Sequence, residues 1–379
     1  MSVIDDYFLK KTDKVSFIEL KKDTTLRIKN YIIGDNVPLP MVTDTLVNEI
    51  REGELEDELK VAHVIEGIIY ILGIDYNFKF KDEYKTILYS FNSDIEDFIL
   101  YRGLKLNEEK YYEDAAIYFR ALTNINNKNV NGLFNYALSL ERIAKKFIDS
   151  EDEEKGSKFL LESTNQLETI LDLDPKFALA YYKLGYHYKN YGQFQKSKLI
   201  WEKYINLDRN EIRVQEIREQ LDIIMDDADN EEGLDYLYTG QYEKALDKFL
   251  SLISKHKNLW NLHYLTGLAY KGMGEYEQAI DYFYESIELG GRNVDIYNEL
   301  GICLFGIGKV NESIDIFNKG IETDNTNYKI VFNRGLIYLQ LGLFEQAKAD
   351  IATAHRLNPD DAIVENKLKE LEQQNNQQF

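Results

Sequence analysis

The sequence predicts an all-α chain, an α–α superhelix of stacked helix pairs, preceded by a mostly helical N-terminal region with room for a short β-hairpin. Three observations carry that expectation. Residue types recur at a fixed interval of 34: Gly233, Gly267, Gly301 and Gly335, then Gly240, Gly274, Gly308 and Gly342, then Ala245, Ala279, Ser313 and Ala347, then Phe249, Phe283, Phe317 and Ile351. A period of that length is the mark of a stacked repeat. Prolines number only four, and two of them, Pro175 and Pro359, follow apparent helix ends. The hydrophobic share of 44% is that of a globular chain.

The formal charge is −21. A surface of that sign repels a nucleic-acid duplex and an anionic membrane, so neither is an expected partner. The single cysteine, Cys303, precludes an intrachain disulfide, and it sits among Ile302, Leu304 and Phe305 as a buried thiol would. That fits a reducing compartment. Met1–Lys11 carries Asp5 and Asp6 where a signal peptide would be basic. The most apolar run, Val64–Ile74, is too short to span a bilayer and holds Glu66. The expected location is cytoplasmic.

The N-terminal region, residues 1–95, shows no period. Val15–Leu20 and Thr25–Ile33 are β-branched and aromatic and are expected to pair as a hairpin about Lys21–Thr24. Asp35–Pro40 reads as a loop, because Pro38 and Pro40 both restrict the backbone. Thr43 reads as an N-cap to a helix carrying Leu46, Val47 and Ile50. A second helix is expected over 54–72 with Gly73 as its cap, and a third over 82–91. Three helices suggest a helix-turn-helix, but the acidic run Glu49–Glu58 argues against DNA contact. The region reads as an N-terminal cap on the repeats.

From residue 96 onward each repeat position has a physical reason. The first glycine (Gly185, Gly267, Gly301) lies inside the first helix of a pair, where only a small residue lets the second helix approach. The second (Gly192, Gly274, Gly308) ends that helix in a backbone conformation that favours glycine. A small residue in the second helix marks the contact, and the aromatic one turn later fills the gap. The copy with Tyr181, Leu184, Gly185, Tyr188, Ser197 and Trp201 resembles the tetratricopeptide repeat, and about seven repeats over residues 96–360 follow the pattern. The resemblance implies a solenoid whose first helices line a concave face that binds a peptide or helix of another protein.

Two surpluses of 14 interrupt the period. Ala137 to Gly185 and Gly185 to Gly233 are each 48 residues apart. The first surplus is expected as a solvated acidic loop around Phe147–Gly156, and it lacks the glycine and spacing of a calcium loop. The second, Ile212–Met225, carries Val214, Ile217, Leu221 and Ile224 at helical spacing and reads as a capping or linking helix like the one expected from Asp361 to Gln373. The resulting division is 1–95, a helical domain; 96–225, a block of three repeats with its linking helix; and 226–379, a block of four repeats with a C-terminal cap. A hinge is expected near Asp226–Glu232.

No catalytic constellation, metal set or cofactor motif emerges. The five histidines lack metalloprotease spacing, His263 stands where the family often has tryptophan, and Gly306–Val310 fails as a phosphate loop for want of its upstream glycine and hydroxyl. The expectation is therefore no enzyme, no cofactor and no metal. Function has to come from a surface. The inward positions that the repeat implies are Phe134, Asn135 and Leu138; Tyr182, Lys183, Tyr186 and Lys189; Tyr264 and Leu268; Asn298, Ile302 and Phe305; and Lys329, Phe332 and Asn333. Aromatic anchors with amides between them suit an amphipathic helix or extended segment. The clamp that some family members use for an acidic C-terminal tail is incomplete: Asn135 and Lys183 fall in place, but Leu100 and Leu104 stand where its lysine and asparagine belong. The expected function is a non-enzymatic scaffold or adaptor that binds peptide or helical segments. The alternative is a peptide-responsive regulator whose N-terminal domain acts on a target. Its partner would be a protein or peptide, with the oligomeric state left open.

Overall fold

The computed structural model describes residues 2–29, 31–43 and 61–377. It divides into two compact units, residues 1–220 and 221–379. The expected helix with Leu46, Val47 and Ile50, the acidic run Glu49–Glu58 and the start of the expected 54–72 helix lie outside the described residues.

The first unit opens with α1 (Val3–Leu9), whose first turn is capped by the Ser2 hydroxyl accepting from the Asp5 amide. Four short strands follow: β1 (Val15–Ile18), β2 (Leu26–Ile28), β3 (Tyr31–Ile33) and β4 (Leu39–Val42). The expected pairing of the first two apolar runs is not the one formed. The second run folds on itself, β2 against β3 from Leu26↔Ile33 to Ile28↔Tyr31, with Lys29 at φ 47°. β1 instead pairs antiparallel with β4, from Val15↔Val42 to Ile18↔Leu39. The expected loop at Pro40 is thus partly strand. A two-stranded sheet has only edges, so the missing proline N–H is tolerated there.

β4 lies on α2 (Val61–Ile74), which is apolar nearly all round and buried along most of its length. A helix of that kind needs neighbours on several sides. Two glycines allow them. A Cβ at Gly67 would fall 1.9 Å from the Pro40 carbonyl oxygen, and one at Gly73 would fall 2.2 Å from that of Ile117. Gly73 is therefore a point of close approach inside the helix rather than its cap. The cap comes from another element: Arg120 Nη1 donates to the carbonyls of Gly73 (3.0 Å) and Ile74 (3.1 Å), and Asn124 Nδ2 donates to that of Leu72 (2.9 Å).

After α3 (Lys81–Phe91) the helices come in pairs: α4 (Ile95–Glu108) with α5 (Tyr112–Ile125), α6 (Val130–Asp149) with α7 (Glu153–Leu173), and α8 (Ala178–Asn190) with α9 (Phe194–Leu207). The expected acidic loop shrinks to a short turn. The surplus goes into the second pair, whose helices have 20 and 21 residues against 13 and 14 in the third. The N-terminal elements pack on second helices, α2 on α5 and α1 on α7, and share one core with them that includes Phe8, Leu39, Ile68, Ile99, Phe119 and Phe159.

α10 (Glu211–Tyr238) is a single helix of 28 residues that contains the expected linking segment and the expected hinge residues. In the second unit follow α11 (Tyr242–Lys255), then the pairs α12 (Trp260–Met273) with α13 (Tyr276–Glu288), α14 (Val294–Gly306) with α15 (Val310–Thr323) and α16 (Tyr328–Gln340) with α17 (Phe344–Leu357), and finally α18 (Ala362–Gln377). The chain between α12 and α13 turns at Gly274, φ 80°, the left-handed conformation its spacing predicts. Cys303 is fully buried, and burial pushes its thiol up to about 12. No described helix is long and apolar enough to cross a membrane.

Candidate functional site

In every pair but α6–α7, where Ala137 takes its place, a glycine of the first helix meets a large side chain of the second. A Cβ at Gly185 would lie 2.0 Å from Trp201 Nε1, and one at Gly267 or Gly301 would lie 2.6 or 2.7 Å from the ring of Phe283 or Phe317. This contact fixes the rotation of the first helix. The residues just before and after the glycine then fall on the inward side.

In the first unit those residues are half-buried. Phe134 packs edge-on against Phe177, with ring centroids 5.2 Å apart. Asn135 turns its amide back to the Asn131 carbonyl, 2.8 Å away. Leu138 sits beside them on α6, and Glu141 continues the same row. Glu141 accepts from Lys183 Nζ at 2.6 Å and from His187 Nε2 at 3.1 Å. Burial alone would raise the Glu141 carboxyl, but those two partners outweigh it and hold it below the usual range. The lysine that sequence reasoning offered as part of a clamp is thus already paired.

Tyr182 and Tyr186 lie ring to ring, 5.3 Å apart, and Tyr186 stands edge-on to the buried Trp201 at 5.0 Å. Both hydroxyls donate to Glu216 on α10. Burial first, and Glu216 second, raise both phenols above their ordinary value. Lys189 Nζ donates to Gln220 at 2.7 Å. Polar side chains therefore link α6 to α8 and α8 to α10.

The second unit repeats the device. Lys271 of α12 pairs with Glu299 of α14, which accepts from Asn298 Nδ2 at 3.2 Å. Asn333 of α16 donates to Asn298 Oδ1 at 2.8 Å. Tyr264 and Leu268 pack at the margin of the core around Phe283, while Ile302, Phe305 and Phe332 flank the next core. Burial raises the Tyr264 phenol. Lys329 is exposed at the start of α16. The structure thus brings Asn298 and Asn333 together and leaves Lys329 apart.

Sequence reasoning missed Glu141, Glu216 and Gln220, the partners of Lys183, Tyr182, Tyr186 and Lys189, and it missed Lys271, the partner of Glu299. Each lies on the inward row of its helix. For Glu216 and Gln220 the signal was hidden, because their segment read as a linking helix rather than as the next first helix. Among the described residues no group of three or more His, Cys, Asp or Glu side chains is placed to hold a metal ion.

Comparison with known proteins agrees with the repeat. Family models described as tetratricopeptide repeat match residues 230–289, 264–328 and 328–361. No curated protein matches the chain in sequence. Among solved structures, the first such domain of Spaghetti (RPAP3), bound to the HSP90 peptide SRMEEVD, is 21% identical, covers 30% of this chain and 91% of its own, and superposes with a TM-score of 0.29. MamA 41-end from Desulfovibrio magneticus RS-1 is 18% identical over 50% of this chain and 96% of its own, with a TM-score of 0.32. YrrB, described as having an unusual peptide-binding site, is 17% identical over 66% and 97%, with a TM-score of 0.28. With its period of 34, its glycine-to-ring contacts and its matched copies, the stretch 230–361 is an array of tetratricopeptide repeats.

Proposed function

We propose that the protein is a non-enzymatic interaction scaffold that binds peptide or helical segments of other proteins along the inward side of its first helices. The observation that supports this most is the state of that side in the first unit. Phe134, Tyr182 and Tyr186 are half-exposed rings on successive first helices, Phe134 held against Phe177 and the two tyrosines by Glu216. Rigid, partly exposed aromatics cost little entropy to dock upon and are the usual anchors of recognition. The two repeat blocks are proposed as residues 96–225 and 226–379. The N-terminal helices α1 and α2 pack on the second helices α7 and α5 of the first two pairs.

The test compares the full chain with one carrying Phe134→Ala, Tyr182→Ala and Tyr186→Ala, after thermal melts have matched their folding. The triple variant is expected to lose at least tenfold in recovery of specific protein partners, roughly the cost of removing one good anchor. Equal recovery from both chains overturns the role of the first unit's groove.

A further inference from the structure

The first unit holds a pocket that shares no lining residue with the inward rows. Its volume is about 410 Å³, within the range of small-ligand sites. Five parts of the chain meet around it: α1 with Asp5, the turn after α2 with Tyr76, α5 with Arg120 and Thr123, α6 with Tyr136, and α7 with Glu162. Its floor belongs to the core, since Arg120, Thr123 and Tyr136 are 3%, 4% and 6% or less exposed.

Two carboxylates, Asp5 and Glu162, stand in the lining against one guanidinium, an excess of one negative charge. Arg120 is already engaged: Nη1 donates to the Gly73 and Ile74 carbonyls and Nη2 pairs with Asp5. Glu162 has no cation among the described residues. Its donors are the side-chain amides of Asn165 at 3.2 Å and Gln166 at 2.7 Å. The hydroxyl protons of Ser2, Thr123 and Thr169 are committed too, to Asp5, to the Arg120 carbonyl and to the Asn165 carbonyl. These groups have lone pairs and negative charge left to offer, which suits a positive group with several N–H donors.

Tyr136 offers the opposite. Burial raises its phenol most, so it stays protonated, and Arg120, Glu162 and Asp5 all act on it, which sets those charges around the hydroxyl. Arg120 can only donate, and no described residue accepts from the Tyr136 O–H. A buried O–H without an acceptor is costly, so this one favours an oxygen on the ligand.

We propose that the pocket binds the amino end of a short peptide or of an amino-acid amide. The ammonium donates to Glu162, and the first carbonyl oxygen accepts from Tyr136. The site is separate from the inward rows and does not depend on what they bind. Asp5 belongs to α1 and Glu162 to α7, so an occupied pocket joins the N-terminal helix to the second pair.

The test is calorimetric titration of the full chain at about pH 7 and about 0.15 M salt, where distant charges are screened. The probes are trialanine amide, its N-acetylated form and alaninamide. Trialanine amide is expected to bind with a Kd of about 1 mM or below. N-acetylation removes the charge and is expected to weaken binding at least about tenfold. Glu162→Gln is expected to cost about tenfold and Tyr136→Phe about fivefold, both being close in shape to the residue replaced. Thermal melts check that both variants fold. Glu153→Gln, on the exposed start of α7, is expected to change binding less than about twofold. Binding by alaninamide as well as by the tripeptide supports the site with a free small molecule as its ligand, and binding by the tripeptide alone supports it with a peptide terminus. Binding by neither overturns it. Equal binding of the acetylated peptide, or equal losses from Glu153→Gln and Glu162→Gln, would reveal unspecific attraction and also overturn it.

Discussion

At Gly267 the α12 backbone lies against the Phe283 ring, and a methyl group there would sit 2.6 Å from a ring carbon. Phe283 is fully buried, so the ring has no free volume to retreat into. Alanine returns about 1 kcal/mol of helix propensity. Overpacking costs about 1–3 kcal/mol. Gly267→Ala is therefore expected to destabilise the chain by up to about 2 kcal/mol, read as a lower denaturation midpoint. Phe283→Leu in the same chain should recover part of that loss, which a double-mutant cycle would show as coupling. Gly335→Ala is expected to cost less, because its nearest atoms, Asp350 Cβ and Ile351 Cγ1, are both 3.0 Å away. These contacts were legible in the sequence, since a glycine and a ring keep a fixed spacing. The turn glycine of the first two pairs was not. Lys110 and Glu151 adopt φ 70° and 64° where later pairs use glycine, so there the geometry persists without the residue that advertises it.

At the scale of elements, what escaped the sequence was partnership. Val15–Ile18 announces a strand by its side chains, yet nothing in it points to Leu39–Val42 rather than to the nearer Leu26–Ile28. Alternation sets which face is apolar, not which strand lies alongside. The end of α2 makes the same point. Its last carbonyls are closed by Arg120 and Asn124 of α5, more than forty residues away in the chain. Arg120 is 3% exposed, lies over the Phe8 ring and pairs with Asp5 of α1. One side chain thus fastens α1 and α2 to the first repeat. Arg120→Met keeps much of the volume but strands the Gly73 and Ile74 carbonyls. Removing one partner of a buried pair costs about 3–5 kcal/mol. Asp5 keeps partial access to water, so a loss of about 3 kcal/mol is expected, measured by urea unfolding. Faster hydrogen exchange in α1 and α2 would place the loss at this fastening, and exchange unchanged there would refute it.

For the molecule as a whole, a solenoid is stabilised by each pair resting on the next, so its ends need a face that water tolerates. α18 supplies that end in the second unit. Val364 and Leu371 are 1% and 6% exposed against the core of α16 and α17, and Asp361, just before the helix, accepts from the Tyr328 hydroxyl at 2.9 Å. Val364→Asp would place a carboxylate in that apolar contact without a partner, a change that costs several kcal/mol or releases the helix. With coupling only between neighbours, the damage should fade with distance along the chain. Hydrogen exchange on the full protein is expected to quicken in α16–α18, less in α14, and not at all in α4–α9 of the first unit. A uniform rise across both units would mean that the chain unfolds as one cooperative body, and the nearest-neighbour account of its stability would then fail.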